Sequence, residues 1–351
     1  MKRVFIFLSL LFSLISFSQD STMNILTKNI NDKTRNEKMP VKIFESERLI
    51  NANTTQTVGK GKMDFKVTHN FDDIVGNRFS KNLYRGGIKS FWGLDNSTDI
   101  RIGFHIGLTD RLDLSIARSK GDEYGLRTDT VPVQTSNPPP IEFLAGKLVE
   151  IGLKYQLLRQ LENDPTHPIS VAFFFNTAIS SIKADSIHKL KDFKKFEDRM
   201  SQVFQLIIAK KFGKISAQLH PTIVHLNHVP DYEGNANTTF ALGGAFRIPI
   251  SKNIAIIVDY FHPFIQDKKE IHYYDDSNAV KFHNPLGIGF EITTAGHVFH
   301  LNFTNAPAIL ENQFIPYTTT SWGKGQFRWG FTISRTFVLW KEKNTMTPVI
   351  K

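Results

Sequence analysis

A period of two in hydrophobicity runs through most of this chain. Residues 62–68, 100–108 and 149–157 carry an apolar side chain at every second position, with polar or small residues between them. Each such run predicts a β-strand with one apolar and one polar face. The same pattern predicts about twelve strands in an all-β fold. The others lie near residues 112–117, 169–178, 202–210, 215–225, 238–248, 254–262, 285–292, 297–304 and 326–338.

The connections between these strands alternate between long and short. Stretches such as 71–97, 119–147 and 305–325 are long, whereas 109–111, 211–214 and 293–296 are short. Alternate connections of a meander lie at opposite ends of the sheet, so one end has tight turns and the other has long loops. Short periplasmic turns and long outer loops are typical of bacterial membrane barrels. The sequence therefore predicts a transmembrane antiparallel up-and-down β-barrel with both termini at the short-turn end.

Two soluble folds also have strands with alternating apolar and polar residues: a secreted β-sandwich, whose turns need not sort by length, and a lipocalin-like barrel with its apolar face inward. Two observations favour an apolar face turned to lipid. The opposite face carries charged residues that suit a wet lumen. Aromatic residues lie near strand ends, as interfacial girdles require. These aromatic residues are Tyr155, Tyr260, Trp329, Phe337 and Trp340.

The first nineteen residues form a targeting pattern. Lys2 and Arg3 precede an apolar run over 4–15 and a small, polar exit, which predicts a cleaved signal peptide at 1–19. A retained membrane anchor is the alternative, but the run is short for a span. We expect a polar, mobile periplasmic segment at 20–60 with one short strand at Val41–Leu49, then an outer-membrane barrel at 61–340 and a polar tail at 341–351.

Composition excludes several classes of protein. The chain has no cysteine, which excludes a disulfide scaffold, a Cys-zinc site, an iron–sulfur site and a Cys nucleophile. Its 30 phenylalanines argue against a disordered chain. No apolar run after the N-terminus is long enough for a transmembrane helix. The formal charge is +10, but much of it lies in loops and the N-terminal segment, so it does not decide the choice of solute.

Several segments resemble a known family in order along the chain. They are LINANTTQTVGKGKMDFKVTHNF (49–71), STDIRIGFHIGLTDRLDLSIARS (97–119), VEIGLKYQLLRQ (149–160), FQLIIAKKFGKISAQLHPTIVH (204–225), GFEITTAGHVFHLNFTNAPAILENQFI (289–315) and GFTISRTF (330–337). The family is the outer-membrane β-barrel set known as domain of unknown function 5777. The resemblance covers about 44–338 and implies an outer-membrane barrel in a Gram-negative cell, but no activity. A Pro-rich insertion near 130–140 departs from the family pattern.

Charges on the polar strand faces are the main functional candidates. The set expected to line the lumen is Arg101, His105, Asp113, Glu150, Lys154, Asp259, Glu291 and Arg328. One hypothesis is a small passive pore whose charged rings bias the choice of polar solute. The alternative is a sealed, salt-bridged interior in a structural or surface-interaction barrel that acts through its outer loops.

One predicted outer loop is basic and aromatic. Between residues 74 and 90 it has four cations and no acid, with Phe79 and Tyr84 interleaved. The cations are Arg78, Lys81, Arg85 and Lys89. This composition suits contact with lipopolysaccharide phosphates or an anionic solute beside the outer-membrane lipid. The alternative is a loop folded inward as a constriction. We expect no nucleic acid at this location, and the sequence names no protein partner.

Residues that could carry chemistry give weak signals. Histidines three apart on a strand, such as His297/His300, point to opposite faces and so cannot share a metal ion. His225 and His228 lie at a strand-to-loop edge and could converge if the loop curls, but ordinary hydrogen bonding at the barrel rim is the expectation. Adjacent carboxylates such as Glu197–Asp198 indicate solvated loop charge, with a loop Ca²⁺ site as the alternative. Ser115 and His105 lie on facing strands, which leaves a lipid-modifying barrel enzyme as a third hypothesis. We expect no enzyme, metal or cofactor. Residues 183–199 predict a short helix that caps a loop.

Overall fold

A computed structural model of the chain describes residues 38–74, 91–94, 99–121, 147–183, 193–229, 236–265, 270–272 and 279–340. Residues from Pro40 onward form one compact unit. Several sequence predictions lie outside the described residues: the signal peptide, the basic-loop residues Arg78, Lys81, Arg85 and Lys89, the Pro-rich insertion and the tail at 341–351.

Twelve antiparallel strands close into a barrel. Strand β1 (Lys62–Asp73) pairs with β2 (Asp99–Gly107) on one side and with β14 (Arg328–Val338) on the other, so the barrel has no free edge. The barrel strands are β1 (Lys62–Asp73), β2 (Asp99–Gly107), β3 (Leu112–Lys120), β4 (Lys147–Leu158), β5 (Ser170–Ser180), β6 (Met200–Phe212), β7 (Ile215–Leu226), β8 (Thr238–Pro249), β9 (Ile254–Phe264), β12 (Leu286–Thr293), β13 (His297–Thr304) and β14 (Arg328–Val338). A separate hairpin pairs β10 (Glu270–His272) with β11 (Ala279–Lys281).

The predicted strands and their alternating connections are confirmed. Short turns join β2 to β3, β6 to β7, β8 to β9 and β12 to β13. The longer connections lie at the opposite end of the barrel and join β1 to β2, β3 to β4, β5 to β6, β7 to β8, β9 to β12 and β13 to β14. The long connection after β9 includes the β10–β11 hairpin. Of the helix predicted over 183–199, the described part holds one 3₁₀ turn at Glu197–Arg199. Among the described residues, no helix is both long and apolar enough to cross a membrane.

The apolar face of the wall points outward, as predicted. On β2, Phe104 is 40% exposed and Arg101, on the opposite face of the strand, is 5% exposed. On β4, Ile151 is 45% exposed and its neighbour Glu150 is 2% exposed. A wall that is apolar outside and polar inside suits lipid around the barrel. This arrangement excludes the lipocalin-like alternative, in which apolar side chains face inward.

Two chain segments fill the interior. The first, called here the N-terminal plug, comprises residues 40–60, of which 43–55 are buried apart from the half-buried Glu45. It turns back on itself through the bridge between Arg48 and Asn53. The second, called the inner loop, comprises residues 305–320 and carries a short helix, α1 (Glu311–Tyr317), whose residues are all buried.

The plug corrects one expectation about the N-terminal segment. The sequence predicts that the whole segment at 20–60 is mobile, with a short strand at Val41–Leu49. In the structure, Val41–Leu49 form no strand, and residues 43–55 lie inside the barrel. The inner loop corrects another expectation, because the connection after β13 folds inward and does not extend as an outer loop. Both departures have the same physical cause, since each segment finds buried partners on the inner wall.

Part of the inner wall is apolar, although polar side chains lie among the apolar ones. Strands β5 to β9 turn apolar side chains inward, where they pack against Phe44 and Ile50 of the plug and Phe314 of α1. Phe261 lies at the centre, with its ring 5.4 Å from that of Phe314. The interior therefore contains a true protein core. The inward-facing wall residues of this core are Ala172, Phe174, Val203, Ile207, Ala209, Val224, Leu226, Ala241, Ala245, Ile257 and Phe261.

The plug leaves the barrel along the β2–β3 turn, and this contact gives a testable prediction. A Cβ atom at Gly107 would overlap the carbonyl oxygen of Gly59. Gly107→Ala should therefore displace the plug and lower the stability of the barrel by about 1–3 kcal/mol, the usual cost of overpacking. The measurement is the unfolding temperature from heat-modifiable gel mobility. Gly296→Ala is the matched control, since nothing lies within 4 Å of a Cβ atom there. Equal transitions for the two variants would contradict the plug position.

Candidate functional site: the filled interior

The residues predicted to line the lumen all turn into the barrel. Seven of the eight are at most 8% exposed: Arg101, His105, Asp113, Glu150, Lys154, Asp259 and Glu291. The eighth, Arg328, has a side chain that is 12% exposed. They do not form one ring, because they divide among wall-to-wall ion pairs and contacts to the plug.

Three ion pairs connect wall strands to each other. Arg101 on β2 contacts Glu150 on β4, with Nε 3.0 Å from Oε2. Arg328 Nη1 on β14 lies 3.4 Å from Asp99 Oδ2 on β2, and it also donates to the carbonyl oxygen of Pro307 in the inner loop. These pairs are buried, so losing either partner would leave an uncompensated charge.

The third wall pair joins β8 to β12 and extends to β13. Arg247 Nε lies 2.6 Å from Glu291 Oε1, and His300 Nε2 lies 3.2 Å from Glu291 Oε2. The spacing of three residues predicts that His297 and His300 point to opposite sides. The structure agrees, because His300 is buried against Glu291 whereas His297 is part-exposed and stacks on Phe299.

Glu47 of the plug lies beside two lysines and a histidine of the wall. Its carboxylate is 3.2 Å from Lys66 Nζ and 3.8 Å from His105 Nδ1. Lys154 Nζ donates to the Glu47 carbonyl oxygen at 2.9 Å. Burial alone would raise the pKa of Glu47, but Lys66, and then His105 and Lys154, hold this pKa below its usual range. Glu47 is therefore ionised and fixes the plug electrostatically to β1, β2 and β4.

Asp259 of β9 holds the tip of the plug. Its carboxylate accepts hydrogen bonds from the backbone N–H groups of Asn51 at 2.6 Å and Ala52 at 3.0 Å. The side-chain amide of Asn51 donates a third, at 2.8 Å. Bonds between a buried carboxylate and backbone N–H groups are among the stronger hydrogen bonds in proteins. This contact fixes the plug tip to the wall opposite the Glu47 cluster.

The plug also contacts the inner loop directly. Arg48 Nη1 lies 2.8 Å from Glu311 Oε1 of α1, and Arg48 Nη2 donates to the carbonyl oxygen of Ile309 at 2.6 Å. Asn53 donates to both Glu311 and Gln205 of β6 at 3.0 Å. Burial raises the pKa of Tyr317, at the end of the same helix, so its phenol stays neutral in the core. Plug, inner loop and wall thus form one packed unit.

Several interior residues are not among the site residues predicted from the sequence. Lys66 and Arg247 are polar positions on alternating strands, so alternation alone could have identified them. Glu47, Arg48 and Glu311 lie in segments without periodicity, and no local signal places them inside the barrel.

The interior offers little for metal or nucleophilic chemistry. Within the described ranges, no group of three or more His, Asp or Glu side chains could hold a metal ion. His225 pairs with Thr238 at 2.8 Å. Ser115 and His105 are register partners on β2 and β3, but no hydrogen bond between them is present, and His105 Nδ1 faces Glu47. The acidic pair Glu197–Asp198 begins a 3₁₀ turn, where Asp198 accepts from the Lys195 N–H.

Comparison with known families decides the assignment of this filled barrel. The family model described as membrane-bound beta barrel domain, domain of unknown function 5777, matches residues 44–337. The chain belongs to this family. The resemblance inferred from the sequence segments is thereby confirmed, and so is a membrane-bound barrel. The match starts at Phe44, so the family domain includes the buried part of the plug.

The chain is also similar to solved structures of low sequence identity. A NanC porin structure has a TM-score of 0.41 and 6% identity, covering 78% of this chain and 98% of that one. OmpF of Salmonella typhi in complex with daunomycin has a TM-score of 0.32 and 8% identity, covering 79% and 97%. LpxR of Salmonella typhimurium has a TM-score of 0.34 and 9% identity, covering 79% and 99%. No curated protein matches the sequence.

Neutralising Glu47 tests the cationic anchor of the plug. Glu47→Gln leaves Lys66 and Lys154 with less buried counter-charge, and removing one partner of a buried ion pair costs about 3–5 kcal/mol. We expect a loss of this size in the free energy of unfolding, measured by urea titration with heat-modifiable mobility as readout. Glu162→Gln, at an exposed turn, is the control and should change little. A Glu47→Gln variant as stable as the control would refute the anchor.

A double-mutant cycle tests the contact between plug and inner loop. Arg48→Met, Glu311→Gln and their combination should give a coupling energy of about 1–3 kcal/mol, as buried contacting pairs do. The reference cycle uses the Lys42–Glu45 pair, in which Lys42 is exposed and Glu45 is half-buried, and for which we expect less than about 1 kcal/mol. Additive effects at Arg48 and Glu311 would show that the two segments are not coupled.

Proposed function

We propose that this protein is an outer-membrane barrel sealed by its own chain, which acts through surfaces at its ends and does not form an open pore. The observation that carries the proposal is the burial of plug residues 43–55 between the wall and the inner loop. The short turns then face the periplasm and the long loops face outward, as is usual for such barrels.

The chemistry of the interior supports a sealed state. A passive pore needs a continuous wet path lined by groups that a solute can contact. Here Lys154 donates to plug carbonyl oxygens, and Asp259 is occupied by plug N–H groups. The apolar core along β5 to β9 closes the other side of the bore. Lys154 and Asp259, two charges that would bias a passing solute, are thus used to hold the plug.

A gated pore is the second candidate, and one observation favours it. The ion pairs Arg101–Glu150 and Arg247–Glu291 join wall to wall, and within the described residues the only plug contact among them is the 4.0 Å approach of Arg247 Nη2 to Glu45 Oε1. Both wall pairs would therefore remain if the plug left. In that case the protein would conduct only after displacement of residues 40–60.

The proposal includes no catalytic role. Ser115 and His105 are buried, and His105 faces Glu47 of the plug. A lipid substrate would have to displace the plug before it could reach either side chain. We therefore place the hydrolase hypothesis behind both barrel hypotheses.

Single-channel recording in planar bilayers tests the sealed state. We expect refolded, heat-modifiable wild-type protein to give no stable current steps. A variant with Glu47→Gln and Arg48→Met, which removes both ionic anchors of the plug, should give intermittent steps if the bore opens. Glu162→Gln is the folded control and should stay silent. Uniform, long-lived steps from the wild type would contradict the proposal and restore the passive pore.

A further inference from the structure

The short-turn end of the barrel carries a one-sided positive charge. Lys214 and Lys252 lie exposed in the β6–β7 and β8–β9 turns, and Lys210 is half-exposed at the end of β6. Among the described residues from Met200 to Val258 there is no Asp or Glu. On the rim of this end, the acidic residues lie elsewhere, at Asp110 of the β2–β3 turn and at Glu162 and Asp164 of the β4–β5 connection. Glu45 of the plug lies half-buried inside the bore and contacts Lys42. The three lysines, called here the basic turn cluster, thus form a local excess of positive charge.

The basic turn cluster adjoins lipid-facing apolar side chains. Lys210 Nζ lies 5.1 Å from the centre of the Phe212 ring, which is 57% exposed. Ile250, beside Lys252, is 59% exposed. Lysines that lie along apolar or aromatic surface with their charge at the water boundary are typical of a membrane interface. This places the cluster at the level of lipid headgroups.

An apolar groove lies on the same part of the outer wall. It has a volume of about 490 Å³ and forms where the small Pro221 lies among taller side chains. Pro221 has no N–H group to donate to β6. The pairing of β6 with β7 is interrupted at this point, between the residue pairs Gln205↔Thr222 and Ile208↔Leu219. The outward-facing residues around it are Phe173, Phe204, Leu206, Ile223, Phe240, Leu242 and Phe264.

The spacing between cluster and groove matches one lipid. Lys210 and Leu206 are four positions apart on β6, which is about 13 Å along the strand at about 3.3 Å per residue. Half of a bilayer hydrocarbon core is about 15 Å thick. An acyl chain that starts beside Lys210 therefore reaches the near edge of the groove. One anionic lipid can therefore place its headgroup on the basic turn cluster and an acyl chain in the groove.

We propose that strands β6 to β9 hold an anionic phospholipid of the leaflet at the short-turn end. Its phosphate lies on Lys210, Lys214 and Lys252, and an acyl chain runs past Leu206 into the groove at Pro221. The site lies on the outer wall, so it does not depend on whether the plug seals the bore.

Lipid retention tests this site. The wild type is reconstituted in bilayers of phosphatidylglycerol and phosphatidylcholine, extracted in detergent, and its retained lipids are quantified by mass spectrometry. We expect phosphatidylglycerol to be retained over phosphatidylcholine. The variant Lys210→Gln/Lys214→Gln/Lys252→Gln should lose this preference by roughly a hundredfold, since each basic residue near an anionic surface contributes about fivefold. The control Arg118→Gln/Lys120→Gln/Lys324→Gln removes three cations from the long-loop side and should keep the preference.

The groove is tested by Leu206→Trp, which places a larger side chain at its near edge and leaves the lysines in place. This variant should retain less phospholipid than the wild type, while heat-modifiable mobility confirms that it is folded. Three results would overturn the proposal: equal retention of both lipids by the wild type, equal losses in the two triple variants, or wild-type retention by Leu206→Trp.

Discussion

The space enclosed by twelve strands is the constraint on which the rest of this structure depends. A barrel of about eight strands is just filled by its own inward side chains, whereas larger barrels enclose a cavity or channel. This chain uses its own N-terminal plug and inner loop to occupy that space. The wall supplies closed backbone hydrogen bonding for the membrane, and the two inner segments supply the packing that the wall lacks.

Two kinds of contact hold the plug. Along β5 to β9, apolar contacts with Phe44 and Ile50 exclude water and act without direction. Glu47, facing Lys66, and the Asp259 carboxylate of β9 make directional contacts that fix the position of the plug along the bore. Apolar burial thus favours insertion, and the charged contacts select one register. Arg48 then joins this arrangement to Glu311, so the inner loop depends on the same segment.

The wall could be predicted from the sequence, because each strand has a periodic pattern and lipid demands a particular face. Phe104 and Ile151 are outward for this reason. The filling could not be predicted in the same way, since Glu47, Arg48 and Glu311 lie in aperiodic segments whose partners are far apart in sequence. One signal was available: the run Phe173, Phe174 and Phe175 makes β5 apolar on both faces. An apolar inner face requires a partner inside the barrel, and alternation alone does not say which segment provides it.

The most direct measurement of the sealed interior is the reactivity of a single thiol in the plug. The chain has no cysteine, so Thr55→Cys, at a side chain that is 1% exposed, would be its only thiol. Ser251→Cys, in the exposed β8–β9 turn, is the reference. We predict that a water-soluble thiol reagent labels Ser251→Cys rapidly and Thr55→Cys only after heat unfolding. Equal labelling rates in the folded barrel would contradict a packed plug and leave an open bore.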